Sequence, residues 1–312
     1  MRKLLRAVKN LVVFFLWLIV VTSTFLVANY VYFNYSSTEF HPDYKLPGKM
    51  INIEGRNVHY IEKGAGPDLI LIHDIGGSAE SFMPVIDKLS KRFHVLVPDL
   101  LGHGYTDKPK DVPYSIQTYD DFLVQFLSAL KINKASFLAH GNSSRVVNEF
   151  LNKHPERVNK VVYVDNIFFK TSFIFNKYLS WPLAGEAFVT IIDRWMMKKN
   201  LYDFGYYNSL LIQEKMVDLL SKYWGIPGVK YSYLKTAHEF QRVDYSEVLY
   251  SKAKRGIIVL SERNYQTNYN KIKVSDLEKE VFPWKIYVLE KTGYFSFLER
   301  PDDFAALIMM HL

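Results

Sequence analysis

Four short runs, at residues 68–73, 94–99, 135–140 and 160–165, decide what this chain can fold into. Each is largely apolar on successive positions, as in Leu69-Ile70-Leu71-Ile72, and so leaves no face for water. Strands of that kind belong inside parallel sheets covered by helices on both sides. Helical stretches separate them, near 79–91, 115–131 and 144–153. Strand and helix alternate in this way to about residue 166, which predicts a doubly wound, mostly parallel sheet. Ahead of it, Met50-Ile51-Asn52-Ile53 and Val58-His59-Tyr60-Ile61 read as an antiparallel hairpin. The alternation stops over residues 167–252, which are rich in Phe, Tyr, Trp, Leu and Lys with helical periodicity. Strands resume at 256–260 and 285–289, and a last helix follows Pro301 with Phe304, Leu307 and Ile308 at helical spacing. The expected fold class is α/β, an eight-stranded sheet interrupted once by a helical insertion.

A different constraint governs the N-terminus. Residues 11–33 carry no charged side chain. At about 1.5 Å rise per residue, a helix of that length spans a hydrocarbon core of about 30 Å. Tyr30, Tyr32 and Tyr35 cluster at its far end, where a ring with a hydroxyl suits the membrane interface. Arg2, Lys3, Arg6 and Lys9 precede the run, and residues 1–33 contain no acid. The positive-inside rule then makes residues 1–10 a cytoplasmic basic flank and 11–33 a single-pass transmembrane signal anchor. The C-terminal domain is expected on the extracytoplasmic side. A signal peptide cleaved near Val21-Thr22-Ser23 is the alternative, but the apolar run continues well past that point. Residues 34–49, with Pro42, Pro47 and Gly48, read as a stalk. Residues 50–166 and 253–312 then form the α/β core and 167–252 the insertion.

Much of the formal charge of +7 comes from the basic flank: without its four residues, the 39 Lys and Arg exceed the 32 Asp and Glu by only three. No basic patch remains that argues for nucleic acid as a partner. The absence of cysteine excludes disulfides and thiolate chemistry. The nine histidines are scattered singly without ligand spacing, so no metal and no cofactor are expected.

Phe137-Leu138-Ala139-His140-Gly141-Asn142-Ser143-Ser144 ends a strand in a tight turn and leads straight into a helix. That is the setting of the nucleophile elbow G-x-S-x-G, with Gly141 where the serine should stand. Three more stretches join it. His73-Asp74-Ile75-Gly76-Gly77-Ser78 is similar to a His-Gly-x-Gly-Gly loop after a third strand. Pro98-Asp99-Leu100-Leu101-Gly102-His103-Gly104-Tyr105-Thr106-Asp107-Lys108-Pro109 is similar to a Pro-Asp-x-x-Gly-His-Gly-x-Ser-Asp-Lys-Pro loop after a fourth, and Glu299-Arg300-Pro301-Asp302-Asp303-Phe304 to the start of a last helix. In their order and spacing, these stretches resemble the α/β-hydrolase fold family of the type with a helical cap. The resemblance covers about residue 50 to residue 312.

The family's chemistry needs Ser, then Asp or Glu, then His. Carried over, the resemblance implies three vacated positions: Gly141 for the nucleophile, Asn264 in Ser261-Glu262-Arg263-Asn264 for the acid, and Tyr294 in Gly293-Tyr294-Phe295 for the histidine. No catalytic residue is therefore expected. The resemblance also marks His73, Asp74, Ile75, His140 and Asn142, with Tyr294, as lining the pocket and oxyanion loop. Asp74 replaces a glycine beside Ile75, whose N–H would serve the oxyanion hole, and a carboxylate there opposes negative charge. Candidate replacements read as structural: Ser143 and Ser144 as packing or capping residues, Glu262 as a solvated acid, His140 as packed at the elbow. Asp165 stands where some members place their acid but lacks a histidine to orient. His238 in the insertion could face the pocket.

The expected function is that of a membrane-anchored, catalytically inactive pseudoenzyme that binds or scaffolds, with a pocket between sheet and cap. Residues 11–33 would meet the membrane. Trp181, Phe188, Trp195, Met196, Met197, Tyr206, Tyr207 and Trp224 of the cap would offer a surface to a protein partner, an apolar small molecule or lipid, or else pack the cap's own core. Two other readings remain. One is an active hydrolase of an ester, epoxide or lipid-like substrate with relocated catalytic groups. The other is a small-molecule receptor using the vacated pocket.

Overall fold

The computed structural model describes residues 1–35, 46–165, 181, 183–241, 256–269, 273–281 and 283–312. Helix α1 (Arg2–Tyr35) is unbroken because residues 2–35 contain neither Gly nor Pro. It is long and apolar enough to cross a membrane, and none of its most apolar window is buried against protein. Its polar side chains bond within the helix: Thr22 and Thr24 donate to Leu18 O and Val20 O, each at 2.8 Å, and Asn29 to Phe25 O at 2.9 Å. A lipid-facing helix needs that internal satisfaction.

Eight strands form one sheet in the order β1-β2-β4-β3-β5-β6-β7-β8. They are β1 (Lys49–Ile53), β2 (Arg56–Lys63), β3 (Asp68–Ile72), β4 (His94–Pro98), β5 (Ala135–His140), β6 (Val158–Val164), β7 (Gly256–Ser261) and β8 (Lys285–Leu289). The β1–β2 and β2–β4 pairs are antiparallel and the rest parallel. Glu54 and Gly55 both take positive φ at the hairpin tip, the geometry of a type I′ turn.

Alternate residues of each strand serve opposite faces. Ile70, Ile72, Phe137 and Ala139 point to the face covered by α3 (Ile116–Ala129) and α4 (Ser144–Lys153). Leu69, Leu71 and Leu138 point to the face covered by α2 (Met83–Leu89) and, at the C-terminus, Phe304 and Ile308. Burial on both faces is what made these runs readable as parallel strands.

The described part of the insertion is helical: α5 (Ala184–Thr190), α6 (Arg194–Asn200), α7 (Glu214–Ser221) and α8 (Val229–Gln241). Val189, Ile192, Tyr223, Trp224, Ile226, Val229 and Leu234 form its core, joined by Tyr105 from the main domain and by Phe33 from α1. Most of the expected stalk, and the insertion's residues 167–180 and 242–252, lie outside the described residues.

Three elements differ from expectation. Helix α1 runs through Asn34 to Tyr35, beyond the expected end at residue 33. Helices α9 (Glu262–Tyr269) and α10 (Val274–Glu280) lie between β7 and β8, where no helix was assigned. Their polar composition hid them, although Gln266 donates to Glu262 one turn back, a local pairing that supports α9. The chain closes with α11 (Ser296–Glu299) and α12 (Pro301–His311).

Candidate functional site

Strand β5 delivers Gly141 to the top of the sheet with φ +59°, in the left-handed region that costs other residues about 1–2 kcal/mol. A tight 3-10 turn over Gly141–Ser143 then enters α4. The elbow geometry is thus present without its hydroxyl. The adjacent serines hold the turn: Ser143 Oγ donates to His140 O at 2.8 Å and Ile72 O at 3.2 Å, and Ser144 Oγ to Ala139 O at 3.3 Å. Both are buried, as packing residues should be; neither caps α4 through its side chain.

The space above Gly141 is taken. Asp74, from the loop after β3, accepts the Asn142 N–H at 2.7 Å and the Ile75 N–H at 2.8 Å, both on Oδ1. These amides, one after the nucleophile position and one from the β3 loop, are the pair that forms an oxyanion hole on this architecture. Asp74 Oδ2 accepts the Tyr294 hydroxyl at 2.6 Å. Three donors on two oxygens match an ionised carboxylate. Burial raises the Asp74 pKa above the usual range, and the bonds from Tyr294, Asn142 and Ile75 offset that only in part. Burial, then the Asp74 charge, push the Tyr294 phenol well above its ordinary value, so it is no base at neutral pH. A Cβ on Gly141 would overlap Tyr294 Oη and the Asp74 carboxyl carbon, and would stand 2.6 Å from Asp74 Oδ1.

The cap fixes this arrangement. Tyr294 and Phe295 donate their N–H groups to Phe204 O at 3.2 Å and Gly205 O at 3.0 Å. Glu299 accepts from Gly293 N at 2.8 Å and from the cap amides of Tyr207 at 2.9 Å and Asn208 at 2.8 Å. Over the β3 loop, Tyr223 donates its hydroxyl to Gly76 O. Tyr233 and Trp224 crowd Gly76, where a Cβ would come within 2.9 and 3.3 Å of them.

The remaining expected residues act as struts. His73 Nδ1 donates to Asp74 O at 2.8 Å and Nε2 accepts the Leu100 N–H at 3.0 Å, tying the β3 and β4 loops; burial lowers its pKa. His140 donates Nε2–H to Tyr294 O at 3.0 Å, and burial lowers its pKa to about 3, so it stays neutral. Asn264 occupies the first turn of α9 and donates to Asp165 Oδ1 at 2.9 Å. Asp165 Oδ1 also accepts the N–H and hydroxyl of Ser261, at 2.7 and 2.9 Å. Burial lifts Asp165 to about 7. Asp165 therefore orients an amide where an acid would orient an imidazole. Glu262 accepts the Lys291 N–H at 2.6 Å, and His238 sits partly exposed on α8.

Two expectations are corrected. Tyr206 and Trp224 belong to buried cores rather than to a partner surface, whereas Trp181, Trp195 and Tyr207 are exposed. The space directly above Gly141 is also occupied rather than open among the described residues. The volume of a nucleophile and its substrate carbonyl is filled by the protein's own carboxyl group and phenol. What remains is partial solvent exposure of Asp74, Ile75, Asn142 and Tyr294. Two cavities, of about 340 and 180 Å³, lie elsewhere: one lined by Arg56, Leu101 and Gln125, the other by Lys160, Gly256 and Leu312. Among the described residues no group of His, Asp or Glu is arranged to hold a metal. The Asp74–Tyr294 contact, 220 residues apart in sequence, had no local signal.

The family model for the alpha/beta hydrolase fold matches residues 67–220. This chain is an α/β-hydrolase-fold protein. An uncharacterized protein of Mycobacterium tuberculosis is 33% identical over 132 residues, which cover 40% of this chain and 36% of the relative. A 2-hydroxymuconate semialdehyde hydrolase of a Pseudomonas species is 30% identical over 118 residues, covering 37% and 42%. These matches thus span well under half of each relative's length. A crystal structure described as a membrane phospholipase A, a bacterial virulence factor, superposes with a TM-score of 0.68 at 19% identity, over 99% of this chain and 97% of that one. At that identity the likeness is one of fold, and its extent takes in α1.

Proposed function

We propose that this α/β-hydrolase-fold protein is a membrane-anchored pseudoenzyme that does not hydrolyse and acts by binding or scaffolding. The observation that carries the reading is the Asp74 carboxyl group seated on the two oxyanion-hole amides and closed by the Tyr294 hydroxyl. Acyl transfer builds negative charge on an oxygen held by those amides. Here a resident carboxyl group already holds them and repels a second anion. The nucleophile position has no side chain, and the acid and histidine positions carry Asn264 and Tyr294. Removing one triad member alone costs several powers of ten in rate.

Residues 11–33 serve as the anchor, with residues 1–10 cytoplasmic and the core and cap outside. The apolar exposed helix and its basic flank support this, as does the fold likeness to a structure described as a membrane phospholipase. The deciding experiment treats the full chain in detergent with a fluorophosphonate probe and a panel of aryl esters. The expected result is no specific labelling and no turnover above buffer. Labelling abolished by Ser143→Ala would sink the proposal, since Ser143 is assigned here only to packing.

A further inference from the structure

The last turn of α1 is part of the cap. Phe33 is buried in the cap core beside Val189 and Ile192, with its ring 5.8 Å from that of Tyr231. Lys110 donates to Asn34 O at 2.7 Å at the end of the same helix. Helix α1 packs along α5, so no free tether separates the apolar helix from the cap at this point. If α1 crosses a membrane, the 23-residue apolar stretch ending at Phe33 measures about 34 Å, close to the hydrocarbon thickness of about 30 Å. Phe33 then lies at the boundary of the bilayer, and α5 beside it lies at the same depth.

The side chains flanking α5 fit that depth. Trp181, whose carbonyl accepts the Gly185 N–H, is 48% exposed; past the other end of α5, Ile191 is 55% and Trp195 67% exposed. Tyr32 and Tyr35 of α1 are exposed at the same level. Ile191 and Trp195, more than half exposed beside a membrane-proximal helix, would be unfavourable in water. In the headgroup region they form an interfacial belt, with indole and phenol edges still hydrated.

We infer that the α5 flank of the cap is seated in the lipid interface, with Ile191 and Trp195 inserted among headgroups and upper acyl chains. The inference rests on the membrane-anchored reading above. It adds that the cap lies on the bilayer rather than being held away from it by a stalk. The occupant of this surface is the lipid already surrounding α1, since the two surfaces are continuous.

The natural absence of cysteine allows a direct test in the full chain. Single substitutions Ile191→Cys and Trp195→Cys would each carry a nitroxide, in vesicles of phosphatidylcholine and phosphatidylglycerol. Ile19→Cys, in the middle of α1, reports the anchor, and Met310→Cys, 75% exposed on α12, reports water. Collision rates with oxygen, which enters lipid, and with a polar nickel chelate, which does not, give depth. The expected oxygen-to-nickel ratio at 191 and 195 is at least threefold that at 310 and below that at 19. Ratios at 191 and 195 equal to 310, with 19 still in lipid, overturn the seating alone. A water-like ratio at 19 overturns the anchored reading and the seating with it. Protection of 191 and 195 from both reagents means that protein covers the flank, and also overturns the proposal.

Discussion

Adding one methyl group at Gly141 probes the filled site most directly. In Gly141→Ala the new Cβ meets a backbone at φ +59°, worth about 1–2 kcal/mol. It also meets Tyr294 Oη and the Asp74 carboxyl group, with Asp74 Oδ1 at 2.6 Å and the other atoms closer. Neither neighbour can retreat freely. Asp74 is held by two amides, and the Tyr294 backbone is pinned to Phe204 O. Overpacking of this kind adds about 1–3 kcal/mol. The total, about 2–5 kcal/mol, should lower the melting temperature by roughly 5–15 °C for a domain of this size. Thermal unfolding of the detergent-solubilised chain measures it. The argument also predicts coupling. In an Asp74→Ala/Tyr294→Phe background the overlapping atoms are gone, and the Gly141→Ala cost should shrink to the backbone part, about 1–2 kcal/mol. A Gly141→Ala protein as stable as wild type, or a cost unchanged in that background, would refute the packing argument.

Three further outcomes are expected. The Asp165 pKa of about 7 lies above its ordinary value of 3.8, so the native state keeps a proton that the unfolded chain has lost between those values. Stability should therefore fall as pH rises through that window, by up to about 4 kcal/mol, and Asp165→Asn should flatten the slope in denaturant titrations run from pH 4 to 8. At His59, burial opposes the charged form, yet the Asp99 carboxylate and the Pro47 carbonyl on its two ring nitrogens raise its pKa overall. Its contribution is present below the ordinary histidine value and lost as pH rises through the raised one; His59→Phe should remove that dependence and cost about 3–5 kcal/mol, as for a broken buried pair, in the same titrations. Glu299→Ala frees the Gly293, Tyr207 and Asn208 amides at once. It should cost about 1–3 kcal/mol and speed amide exchange at those positions, read by hydrogen-exchange mass spectrometry.

The order of strands and helices was legible in the sequence because it rests on local periodicity. Leu69 to Ile72 have no polar face, and a strand without one has few places to go. The elbow was legible for the same reason, since a glycine turn between a strand and a helix is a local pattern. The vacated positions could be located by their order along the chain. Sequence showed Asp74 beside the oxyanion loop but not that its Oδ1 accepts both amides, because that depends on a fraction of an ångström between β3 and β5 loops. Nor could it reveal that Tyr294 closes over Asp74, or that Asn264 turns to Asp165 from a helix rather than a loop. It likewise left Trp224 and Tyr206 undecided between surface and cap core, since burial of an aromatic in a helical cap is set by what packs against it. That Gly141 cannot attack follows from its lack of a side chain; only the packed structure decided that its place is occupied, because contact between residues 220 positions apart is made by the sheet and the cap together.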